Sequence, residues 1–583
     1  TREMLLRDCG DWPPIRVFGT DERFGNCQEC HGSQVTIGFE RESGRFETRV
    51  KSLSINCESC HGPARAHVDL ANSGGLGGSE ELGVRPLGLL SEDESLEVCF
   101  QCHALKGVIE PGYLPGTPLQ DYYSLLMPLL GDRPLLPDGR VREFAYQQNH
   151  IASDCYLNGT MNCVDCHDPH SSSYRDIYSR PLIGRFDDRQ CTDCHASKAV
   201  APQLHTKHAV DSRGSQCVTC HMPFLQHPEV GSELRFARSD HSIPIPRPAF
   251  DSGLGLMNAC AECHRNISTD SLQRATDSWW GELKPHKPVV QGAFRAFNGE
   301  AAISPGELLH PDTDHVMAQM SALTSVFERY LSPNMSVQDS ALVEGLKSLT
   351  FHDNVDIRSV ALAALHLAFG DDPKLRRFLV ERLRSLSSED YAVRSRWVLT
   401  LGFYADTYRE SGRPGDAITV YNKALELLPD HSGIFRNMGL AYHAALDFQA
   451  AVAQFRRSLE IDPSHALTWV NMGVSLDRME LEREAEVAYR RALEVNPMEP
   501  LAYFNLGNVL LRRGDVLQAV AQYEQAVLLS PSLAYGHYYM ARGLIQMEEY
   551  ERALDAARLA VEFDPNISGA QEMLADLERF FGG

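Results

Sequence analysis

Residues 162–174 read NCVDCHDPHSSSY, placing two thiols, two imidazoles and a proline within eight positions from Cys163 to His170. Two cysteines and an adjacent histidine can hold zinc, exchange a disulfide or anchor a haem, and the rest of the chain decides among these. The unit recurs seven times. Its members are Cys27, Cys30 and His31; Cys57, Cys60 and His61; Cys99, Cys102 and His103; Cys163, Cys166 and His167; Cys191, Cys194 and His195; Cys217, Cys220 and His221; and Cys260, Cys263 and His264. Zinc sites and thioredoxin-like sites also use paired cysteines, but neither requires a histidine directly after the second one. C-x-x-C-H is the attachment motif of c-type haem. Seven motifs therefore imply seven haems c.

The spacing has a physical reason. Residues three and four apart share one face of a helical turn. Two thiols so placed can reach the two vinyl carbons of a haem as thioethers, and the histidine that follows swings under the ring to bind iron. Seven irons need seven second ligands, and residues 1–265 hold seven further histidines: His67, His150, His170, His205, His208, His227 and His241. His286 lies just outside. His170 stands three residues past His167 with Pro169 fixing the backbone before it, so it is expected to serve a neighbouring haem rather than its own. Cys9 and Cys155 fall outside the motifs and form either a disulfide or two free buried thiols. Met222 directly follows a motif histidine and reads as packing.

These groups need positioning elements, and the two halves of the chain supply them differently. All 16 cysteines precede residue 264, in a Gly- and Pro-rich stretch with poor helix and strand signals, such as ANSGGLGGSEELG at 71–83. The change of composition predicts a boundary near residues 265–290. Beyond it, prolines recur every 34 residues at Pro429, Pro463, Pro497, Pro531 and Pro565. Ala417, Ala451, Ala485, Ala519 and Ala553 share one offset, Tyr421, Phe455, Tyr489 and Tyr523 a second, and Gly439, Gly473 and Gly507 a third. Each unit is a pair of antiparallel helices in the tetratricopeptide pattern, five units spanning 398–565 and a helix at 568–581 capping the stack. Ala405 stands in the first unit where glycine is usual. The run VDIRSVALAALHLAF at 355–369 predicts further helix before the repeats.

The net charge of −23 disfavours nucleic acid, which recruits basic surfaces. The solenoid is itself acidic, with 26 Asp and Glu against 16 Lys and Arg from residue 398 onward. No apolar run approaches the ~20 residues of a membrane span. The opening TREMLLRDCGDWPP is no signal peptide, so an export signal is expected to have been removed or to lie outside this sequence.

The motifs CESCHGPARAHV, CVDCHDPHS, CVTCHMP, DHSIPIPRP and NACAECH, together with the repeats, resemble a family of exported multihaem c-type cytochromes that carry a C-terminal tetratricopeptide array. The resemblance implies that His67, His170 and His241 are distal ligands. His205 or His208 follows, then His150 and His227. The expected fold is mainly α: a loop-rich, seven-haem cytochrome c domain over 1–270, a connecting segment over 271–337, a HEAT-like helical segment over 338–397, and a tetratricopeptide solenoid with its capping helix over 398–583. The expected function is electron transfer, in the periplasm or outside the cell, to redox partner proteins or an extracellular acceptor. A filament of end-to-end copies is a sharper form of the same expectation. The alternative is an oxidoreductase acting on nitrite, hydroxylamine or a sulfur oxyanion at one open haem.

Overall fold

The computed structural model describes residues 33–40, 45–52 and 57–582, except for 75–81, 88–89, 110–112, 114, 131–135, 142–145, 172, 227–237, 299–303, 311–313 and 387–389. Cys9, the first motif at 27–31 and His227 thus lie outside the described residues. The chain is mostly helical and divides between Thr400 and Leu401 into two compact units. Among the described residues no helix is long and apolar enough to cross a membrane.

From residue 57 to 265 the elements are short: helical turns of three to eight residues, one twelve-residue helix at Glu92–His103, and paired strands of two or three residues. The cysteine motifs sit on these turns. The histidine N–H reaches back to the first cysteine carbonyl at 2.9 Å in the motifs of His61, His195 and His264, so one helical turn puts both thiols and the imidazole on adjoining faces. The His167 motif is a 3₁₀ turn, Cys163–Asp165, capped by Asn162. Apolar side chains are poorly covered here. Between Cys166 and His221 only Leu182 and Val218 are buried apolar residues, among those described, whereas Ile183, Val200 and Leu204 stand exposed.

The helices from 269 to 400 are of another kind. Val355–Phe369 is buried on nearly every side, as an all-round apolar helix must be. The compositional change near 265–290 is not where packing divides, since the compact unit continues to Thr400. Polar side chains of the later helices satisfy backbone groups of the cysteine-rich loops. Arg396 and Asp356 form a buried ion pair. Arg396 also donates to Gln120 O and Tyr123 O, and Ser124 Oγ donates to Asp356 at 2.7 Å. Lys287 Nζ donates to Ala152 O and Ser242 O at 3.1 and 2.9 Å, and His315 Nε2 donates to Ile151 O at 3.1 Å. Loops too poor in apolar residues to close a core lean on helices that have one.

The second unit is a run of antiparallel helix pairs from Pro414–Leu427 to Tyr550–Phe563, with Ala570–Gly582 last. Its repeat offsets have a steric basis. Phe455, Tyr489 and Tyr523 are fully buried against Gly439, Gly473 and Gly507, where a Cβ would lie only 2.5–2.6 Å from the ring. In the first unit Ala405 packs near Tyr421 instead, and Tyr421 donates its hydroxyl to Asp406 at 2.6 Å. At positions 412, 446, 480, 514 and 548, also 34 apart, every residue takes a left-handed backbone, with φ between 62° and 89°. Only Gly412 and Gly514 are glycines, so Leu446, Glu480 and Glu548 hold a conformation their side chains disfavour. The turn between the two helices of a pair demands it regardless of residue.

Candidate functional site

Four motif histidines face a second imidazole. Ring centres are 6.1 Å apart for His61 and His170, 6.4 Å for His167 and His241, 6.1 Å for His205 and His221, and 6.0 Å for His208 and His264, with interplanar angles of 9°, 28°, 4° and 34°. Rings stacked directly face to face would lie nearer about 4 Å between centres, so these pairs are not face-to-face stacks, although offset stacks also span about 4.5–7 Å. A metal held between two imidazole nitrogens, with bonds of about 2 Å and about 1.1 Å from nitrogen to ring centre on each side, sets the centres roughly 6 Å apart. In every pair one ring is fixed through Nδ1, which donates to a backbone carbonyl: His61 to Arg85 O at 2.8 Å, His241 to Ser239 O at 2.9 Å, His221 to Pro244 O at 3.0 Å, and His208 to Thr206 O at 2.6 Å. That tautomer leaves Nε2 with its lone pair, the arrangement of metal-binding histidines whose other nitrogen is tied to a carbonyl. The donor set of each pair, two thiols and two opposed imidazoles, fits haem c.

Local structure explains how each distant ring arrives. Asp168 accepts from His170 N at 3.1 Å and from Ser171 Oγ, fixing a turn that projects His170 outward to His61 and away from its own motif. His167 is held in a two-residue strand against Tyr174. Asp240, beside His241, belongs to a buried cluster in which Arg140 donates to Asp138, Asp240 and Asp251 at 2.7, 2.9 and 2.9 Å. Burial opposes the Arg140 charge, and the three carboxylates outweigh it. Helix Pro202–Thr206 ends at the left-handed Lys207, which turns His205 and His208 toward different motifs. Trp280 Nε1 donates to His205 O at 2.8 Å, and Trp279 meets the His208 ring edge-on. A Cβ at Gly214 would lie 2.3 Å from His208 Cδ2, so only glycine leaves that ring its place.

Burial favours the neutral form, the one that binds metal, at four of the paired imidazoles. Burial lowers the pKa of His167, His221 and His205, and burial with His167 pushes His241 down to about 4. His286 is also pushed to about 4, by burial and by Arg247 and Arg140. Burial raises the thiols of Cys166 and Cys220 to about 12, the opposite of the depressed value a redox-active cysteine needs.

Among the described residues, motifs adjacent in sequence are also adjacent in space. Gln101 Nε2 donates to Ser59 O at 2.6 Å, joining the second and third. The thiols of Cys99 and Cys163 hydrogen-bond, as do those of Cys191 and Cys217. Cys217 N donates to Asp188 at 2.8 Å, and Phe224 N to Glu262 at 2.8 Å, linking the fifth, sixth and seventh. Asp165 and Cys194 line one cavity, which joins the fourth to the fifth.

The remaining candidates are placed as follows. His67 Nδ1 donates to Leu82 O at 2.6 Å, leaving Nε2 available. His103 ends helix Glu92–His103. His150 is buried with both nitrogens engaged: Nε2 donates to Met161 O at 2.7 Å, and Nδ1 lies 3.3 Å from Ser153 Oγ. It is satisfied by the protein alone, which its type and position in the sequence could not reveal. Cys155 is half-buried and lines the same cavity as Cys194.

Residues 398–464 and 472–534 match families described as tetratricopeptide repeat. The repeats are tetratricopeptide repeats. Similar solved structures include PilF of Pseudomonas aeruginosa, at 20% identity over 32% of this chain and 86% of that one, with a TM-score of 0.31. A thermophilic tetratricopeptide protein of Thermus thermophilus is 16% identical over 31% of this chain and 98% of its own, with a TM-score of 0.27. MamA from Desulfovibrio magneticus is 17% identical over 29% and 97%, with a TM-score of 0.27. No curated protein matches the chain as a sequence.

Proposed function

We propose that the protein is an exported electron carrier in which each of the seven motifs holds one haem c and the tetratricopeptide solenoid docks a partner or a second copy. The four imidazole pairs at 6.0–6.4 Å carry this reading. Bound haem would supply one-electron chemistry. The chain's own part would be to hold it through the paired cysteines, the motif histidines and the imidazoles that face them, and to cover it from water. Histidines on both sides would leave no place for a small-molecule ligand, which suits transfer over turnover. Motifs that neighbour one another in chain order give a row along which electrons pass.

A specific observation favours the second reading, reduction of a small oxyanion. A cavity of about 1220 Å³, lined by Cys194 and His195 together with Arg247 and Lys287 and the carboxylates of Asp154 and Asp165, has the size to admit a small ligand beside one motif. Two experiments separate the readings. Electron paramagnetic resonance of the oxidised protein should show low-spin haem; a stoichiometric high-spin signal with nitrite or hydroxylamine turnover would make the enzyme reading the better one. His170→Ala should add one high-spin haem and one carbon monoxide site per chain. No change on that substitution would remove His170 from the ligand set.

A further inference from the structure

Among the described residues, His61, His167, His221 and His264 each face a second ring; His195 instead lines the 1220 Å³ cavity beside Cys194. Histidine 286 lines the same cavity. It lies beyond the cysteine-rich stretch, on the segment between helices Thr269–Trp280 and Pro288–Asn298. That segment is pinned on each side of it. Lys287 Nζ donates to Ala152 O and Ser242 O, and Gln291 Nε2 donates to His286 O at 2.7 Å. Arg247 donates to Lys284 O. The His286 ring packs on Phe250 at 4.2 Å between centres, and Phe250 also lines the cavity. Among the described residues neither nitrogen of that ring has a hydrogen-bond partner. A half-buried imidazole that lines the cavity, with neither ring nitrogen engaged by the protein, has a lone pair to offer a ligand there.

We infer that His286 is the second histidine ligand of the haem carried by Cys191, Cys194 and His195, although it lies outside the stretch in which the sequence places the ligand histidines. The inference rests on the haem reading of the motifs. His150 cannot take this part without breaking its contacts to Met161 and Ser153. With His286 in place the cavity is the seat of a six-coordinate haem rather than a substrate chamber.

The test uses the full-length protein matured with haem. First, peptide mass spectrometry asks whether Cys191 and Cys194 carry a haem; if they do not, the haem reading fails there, independently of His286. Given that haem, His286→Ala should raise the high-spin ferric count by one per chain and add one carbon monoxide site, and imidazole should reverse both changes. His150→Ala should leave the spin count as in the parent. An unchanged count in His286→Ala, or a change in His150→Ala alone, overturns the assignment. If His286→Ala fails to mature, His286→Met keeps an axial donor and should raise the reduction potential of one haem while leaving it low-spin. Potentials identical to the parent would overturn the assignment as well.

Discussion

At the scale of residues, four imidazoles come from loops far from the motifs they face. His170 meets His61 although it sits in the turn after His167, because Asp168 and Pro169 throw it outward. The sequence reveals the supply of histidines and the reason His170 should serve a neighbour. It does not reveal the pairing, which depends on where 3₁₀ turns and left-handed residues such as Lys207 aim each ring. His150 and His286 mark the same limit from both sides. Hydrogen bonds to Met161 and Ser153 occupy the first, while the second lies past the stretch where ligands would be sought. Gly214 shows no motif at all, yet its bare Cα gives His208 its room. Gly214→Ala should push the His208 ring aside and turn the haem at His264 high-spin, without loss of covalent haem. A low-spin spectrum equal to the parent's would show that the loop yields instead.

At the scale of elements, the 34-residue period makes the solenoid legible, because each repeated offset reports one steric demand. The small residue beside each buried aromatic is visible in sequence as glycine or alanine. The left-handed turn is not, since Leu446, Glu480 and Glu548 occupy it where glycine would advertise it. A non-glycine residue there costs roughly 1–2 kcal/mol, partly offset by the extra freedom glycine has when unfolded. Glu480→Gly should therefore stabilise the repeats by about 0.5–1 kcal/mol, read as a higher unfolding midpoint. A lower midpoint would mean that the Glu480 side chain contributes more than its backbone loses. In the cysteine-rich part most elements after residue 57 run only two to eight residues, Glu92–His103 excepted, which gives hydrophobic periodicity too little length to register.

At the scale of the molecule, composition and packing divide the chain differently. Cysteine, histidine and glycine content changes near residue 265, but the first compact unit runs to Thr400. The difference lies in Arg396, Lys287 and His315, whose side chains donate to the carbonyls of Gln120, Ala152 and Ile151 more than 100 residues away in sequence, and in Asp356, which accepts from Ser124 Oγ. Such pairings leave no periodic trace. The unit from Leu401 onward has its own continuous core through Phe455, Tyr489 and Tyr523. Residues 398–583 produced alone should be strongly helical by circular dichroism and unfold in one cooperative step; an unfolded fragment would show that the repeats depend on the rest of the chain. The account's central claim is that each cysteine motif carries one covalent haem c, and its most direct test is the intact mass of the denatured, mature protein. The account predicts the chain mass plus seven haems. A mass with fewer than seven, or a chain that gives up its haem or releases zinc on denaturation, would contradict it.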